Sequence, residues 1–150
     1  MTATAVPATH DTVTAATAPT GTVGSPTRLW RAGLAAGAVA AAATTATVGL
    51  ARAIGEAVAV GGEQIPLAGF AQFVLLGALV GIVLAKVTSR RASRPRPTFV
   101  RTTVVLTALS IVPDVLVDAT PGTKLVLALT HVIAAAIIVP VLAARLPEHV

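Results

Sequence analysis

The sequence predicts an all-α protein, a four-helix transmembrane bundle with a disordered N-terminal tail. Three observations predict it. Of 150 residues, 55% are hydrophobic and only 11% charged, whereas soluble domains carry roughly 25% charged residues. The apolar residues fall into four blocks that approach or reach the ~20 residues a helix needs to cross a bilayer. Basic residues flank those blocks and gather in alternate connections, which makes topology and anionic headgroups the reading of the net charge of +5 and the pI near 11.5, rather than nucleic acid. There is no cysteine, which excludes disulfides, thiolate catalysis and cysteine-ligated metal centres.

Residues 1–28 are rich in Thr and Ala, contain Pro7, Pro19 and Pro26, and show no helical or strand period. They read as a disordered cytoplasmic tail. Residues 29–147 read as the membrane domain, with helices over about 32–51, 67–85, 99–117 and 124–144. The first block carries Gly33, Gly37, Ala40, Thr44, Thr47 and Ala51 on one face. Such a small-residue stripe lets backbones approach closely, within the chain or in a dimer. Arg52 to Gln64 then leaves the membrane, with Arg52 and Glu56 spaced to pair and Gly61-Gly62 ending any helix.

Pro66 suits the start of the second helix. Gly77 and Gly81 make a second close-packing notch within it. The connection that follows is strongly basic, and Pro95 and Pro97 keep it from forming a long helix. Arg90, Arg91, Arg94 and Arg96 are its candidates for lipid-headgroup contact. After the third helix, Asp118 to Lys124 is a short turn. Thr120 reads there as an N-cap and Pro121 as the first helical residue.

Orientation follows from the eleven basic residues. Arg28, Arg31, Lys86, Arg90, Arg91, Arg94, Arg96, Arg101 and Arg145 fall on one side, and Arg52 and Lys124 on the other. The positive side is cytoplasmic. The expectation is a multi-pass protein of the cytoplasmic (inner) membrane with both termini inside.

The third helix carries the chemistry. Thr103, Thr107, Ser110 and Asp114 lie within roughly 60° of one helical face. A carboxylate in an apolar helix is costly unless it meets protein or water, so the stripe should face the bundle. Gln72, Ser110, Asp114 and His131 form the candidate intramembrane polar cluster, with Glu56 at similar depth. A short turn makes the last two helices antiparallel neighbours, which brings Asp114 and His131 within hydrogen-bond reach. The pair reads either as a proton- or cation-handling site or as interhelical glue. No nucleophile, zinc-protease or phosphate-loop motif is present, so the chain reads as non-enzymatic, without cofactor or metal.

Ile65–Gln72 (IPLAGFAQ) and above all Val117–Val132 (VDATPGTKLVLALTHV) resemble an uncharacterised actinobacterial family of small four-span integral membrane proteins, a domain of unknown function. Asp118, Thr120 and Lys124, the outer-turn motif, and His131 are the matching positions. The resemblance implies four spans, a polar outer turn and a histidine in the last helix. It implies no activity. The function expected is association with lipid or with other membrane proteins, including a second copy of the chain, and not with nucleic acid. The alternative is a small oligomeric transporter or channel-like protein that uses the intramembrane Asp114 and His131.

Overall fold

The computed structural model describes residues 26–148. Four helices make up most of it: α1 Pro26–Ala53, α2 Leu67–Arg91, α3 Pro95–Leu116 and α4 Pro121–Ala143. Each is long and apolar enough to cross a membrane, so the predicted four-helix transmembrane bundle is the observed fold. The tail expected over residues 1–28 lies, up to residue 25, outside the described residues. Residues 26–28 already belong to α1, because Pro26 fits a first turn whose amides are unbonded anyway. The same reason moves the start of α3 from Phe99 back to Pro95. Pro95 and Pro97, expected to break a helix, instead open one. The basic connection thereby shrinks to Ala92–Arg94, with Arg90 and Arg91 in the last turn of α2.

Between α1 and α2 the chain forms a small hairpin, β1 Ala59–Val60 paired antiparallel with β2 Glu63–Gln64. Gly61 and Gly62 both have positive φ, 59° and 86°, the backbone that a two-residue turn between twisted strands requires. Its end of the bundle is called here the hairpin end, and the end with the α2–α3 connection the arginine end.

Packing is uneven. α1 lies against α2 and α4, and α3 lies against α4 and α2. The glycine stripe of α1 is what lets α2 in. A Cβ on Gly37 would sit 2.7 Å from the Cβ of Ala78, and one on Gly33 would run into the Ile82 side chain. The stripe is thus used within the chain. The notch expected at Gly77 and Gly81 divides: Gly81 is 3.3 Å from Leu142 when given a Cβ, whereas Gly77 meets nothing within 4 Å.

One core cluster, with Ala40, Ile82, Phe99 and Leu142, joins the helices toward the arginine end. A smaller one, with Val48, Val58, Phe70 and Leu127, lies under the hairpin. In its most apolar stretch α3 is only 6% buried, against 39% for α1. Val104, Val105 and Leu109 are all largely exposed, a surface suited to lipid tails. α3 is a wall set apart.

Candidate functional site: a groove between α2, α3 and α4

The gap left by that loose packing is a cavity of about 810 Å³, within the ~300–1,000 Å³ of small-molecule sites. Val74, Gly77, Val80 and Leu84 line it from α2, and Ala134 and Ile138 from α4, while Val60 and Ile65 bound it at the hairpin end. From α3 come Thr103, Thr107, Ser110 and Asp114, the whole polar stripe, joined across the groove by Thr130 and His131 of α4. Gln72 is exposed and does not line it.

Three of the four lining hydroxyls, all but Thr107, spend their protons on their own helices. Thr103 Oγ1 donates to Phe99 O (2.9 Å), Ser110 Oγ to Thr107 O (2.7 Å) and Thr130 Oγ1 to Leu127 O (2.7 Å). This satisfies the O–H groups without a partner helix and leaves oxygen lone pairs as acceptors. Ser110 therefore does not reach the Leu109 carbonyl whose backbone bond Pro113 removes.

His131 Nδ1 lies 2.9 Å from Asp114 Oδ2 and 3.1 Å from Leu127 O. The N–H direction favours the carbonyl, and Asp114 Oδ2 is buried without a hydrogen bond of good geometry. The two residues touch as close polar neighbours rather than through a linear bond. In lipid such interhelical contacts average ~0.6 kcal/mol, with a maximum near ~1.7. A double-mutant cycle with Asp114→Asn and His131→Gln is therefore expected to show a coupling of that modest size in unfolding free energy. Additive losses would mean the pair has no energetic contact. Among the described residues no group of three His, Asp or Glu side chains is placed to hold a metal.

A second polar constellation closes the hairpin end. Glu56 Oε1 accepts hydrogen bonds from Thr120 Oγ1 (2.6 Å) and Thr123 Oγ1 (2.8 Å). Thr120 Oγ1 in turn accepts the Thr123 amide at 3.1 Å, the predicted N-cap. The carboxylate thus sits at the start of α4, where negative charge is favoured. Gly122 has to be small there, since a Cβ would strike the Glu56 carboxylate.

Asp118 contributes through its backbone, its carbonyl accepting the Gly61 amide at 3.0 Å. Arg52 does not pair with Glu56. Its guanidinium donates to Ile65 O instead, which anchors the hairpin to the end of α1. Val58, at φ 44°, carries strain of about 1–3 kcal/mol, and its fully buried side chain offsets that by sealing the smaller core.

Hydrogen bonds from Thr120, then Thr123, hold the Glu56 carboxyl below its ordinary value of 4.5 against the opposing effect of desolvation. The sign follows directly. A depressed folded-state pKa stabilises the clip above the ordinary value, and that stability is lost as pH falls through the folded one. Hydrogen exchange over residues 54–66 is expected to quicken as pH drops below 4.5, after correction for intrinsic rates. Glu56→Gln should remove that extra dependence; the same acid response in the variant would rule out Glu56 as its source.

At the arginine end Arg96 pairs with Glu148 at 2.7 Å. Both side chains are largely exposed, so the pair adds little, ~0–1 kcal/mol. Comparison with characterised proteins and with solved structures returns no match. Residues 24–148 match the model of a family of unknown function, DUF6069, and the chain belongs to that family.

Proposed function

We propose that this chain is a non-enzymatic protein of the cytoplasmic membrane that acts by association, holding a lipid-soluble amphiphile in the groove between α2, α3 and α4. One observation carries the reading: a largely apolar cavity of about 810 Å³ between spanning helices, with a polar strip along α3 faced by Thr130 and His131 of α4. Apolar walls suit a chain, and a few convergent polar groups orient its head. Basic side chains at the arginine end support a cytoplasmic position for that end and for both termini. An actinobacterial source fits the resemblance carried by Val117–Val132. Transport remains the second reading, favoured by the Asp114–His131 contact inside the groove.

The test uses single cysteines, introduced cleanly because the chain has none. Bimane on Val80→Cys reports the groove, and on Val39→Cys, an exposed position of α1, it reports bulk lipid. A monoacylglycerol with a dibrominated chain is expected to quench the Val80 probe saturably at low mole fraction. Quenching at Val39 should rise only in proportion to probe content. Gly77→Phe, which projects into open space in the groove, should abolish the saturable component. Proportional quenching at both sites would end the groove reading.

A further inference from the structure

We infer that the amphiphile this groove selects is a single-chain lipophilic amine, its ammonium seated against Asp114 and its alkyl chain running along α2 toward Phe99. The inference rests on the groove reading and adds the chemistry of the head. Of the polar side chains that line the cavity, only the Thr107 hydroxyl keeps an uncommitted proton; the others present acceptors. The protons of Thr103, Ser110 and Thr130 are committed to their own helices. With its Nδ1 proton assigned to Leu127 O, a neutral His131 offers Nε2 as a further lone pair.

Asp114 is the one carboxylate in the lining, its side chain only 14% exposed, and its Oδ2 lacks a well-formed bond. No Lys or Arg lines the cavity. The complement of an acceptor-rich, acidic site is a donor that carries positive charge. A carboxylate or phosphate head would meet no Lys or Arg and would repel Asp114.

The register fits a chain as well. Asp114 lies near the hairpin end of α3 and Phe99 fifteen positions earlier, about 22 Å along the helix at ~1.5 Å per residue. Between them α2 presents Val74, Val80 and Leu84, and Gly77 keeps the path open. A single chain suits a groove one helix-gap wide.

The test compares three probes of equal chain length: dodecylamine, dodecanol and dodecanoate, at pH 7 in phosphatidylcholine nanodiscs. A trifluoromethyl label on Val80→Cys, read by ¹⁹F NMR, follows occupancy, and nanodiscs without protein correct for partitioning. Dodecylamine is expected to half-saturate at a mole fraction about tenfold below dodecanol, the size of a hydrogen bond to a charged group. Dodecanoate should be weakest.

Asp114→Asn should bring the amine level with the alcohol. The wild-type series decides the question even if that variant fails to fold. Equal response to all three, or preference for dodecanoate, overturns the amine while leaving the groove reading intact. No saturable response to any probe defeats both. So does disulfide formation between Val80→Cys copies that matches the loss of binding, since a second copy would then fill the groove.

Discussion

Gly37→Leu is expected to destabilise the bundle by about 3 kcal/mol, the upper end of the usual cost of overpacking. At Gly37 even a methyl would fall 2.7 Å from Ala78 Cβ. Alanine has no side-chain torsion to rotate away, so α1 and α2 must part along their contact. In lipid that separation is not opposed by hydrophobic burial, and close van der Waals contact is the main thing lost. Gly33→Ala should cost somewhat less, because its methyl meets Cγ1 and Cδ1 of Ile82, which can turn about side-chain bonds that Ala78 lacks, though Ile82 is fully buried. Gly77→Leu should be close to neutral, since a Cβ there touches nothing within 4 Å. Unfolding free energies in mixed micelles measure all three. Equal costs at Gly37 and Gly77 would show that helix propensity, not the α1–α2 approach, governs these positions.

An impermeant thiol reagent applied to intact cells is expected to label Glu63→Cys and spare Ser93→Cys. Glu63 is an exposed hairpin residue, and unlike Gly62 it does not need the positive φ of the turn. The proposed orientation relies on Arg90, Arg91, Arg94 and Arg96, each worth about 1 kcal/mol against an anionic leaflet. Changing all four to Gln should yield chains in both orientations with helix content unchanged. Losing the exposed Arg96–Glu148 pair is too small an effect to produce that outcome. Labelling of Ser93→Cys in the otherwise native chain would reverse the topology.

The spans were legible because apolar block length and the helical repeat are local properties. The stripe from Thr103 to Asp114 and its nearness to His131 were legible for the same reason, aided by the short turn before α4. The role of Pro95 and Pro97 was misread, because a proline pair marks a helix start as well as a break. Glu56 was read with Arg52, four residues away, whereas its partners Thr120 and Thr123 lie 64 and 67 residues on. Periodicity has no access to such a contact. Gly77 and Gly81 look alike in sequence, yet one packs and one borders a void. That difference depends on how far α3 stands off from α2, which no single helix encodes.

The clip at the hairpin end also carries an order of events. Glu56 and the Gly61 amide belong to the segment between the first two helices, but their partners, Thr120, Thr123 and the Asp118 carbonyl, arrive only with the last turn. During synthesis the α1–α2 pair can insert while this segment is still unanchored at its tip. The clip closes once α3 has crossed and the first turn of α4 has formed, so its formation reports that the last connection is in place. A truncation after α3 would leave the Glu56 carboxylate and the Gly61 amide bonded to water, and the segment open to a membrane-surface protease that spares the full-length protein.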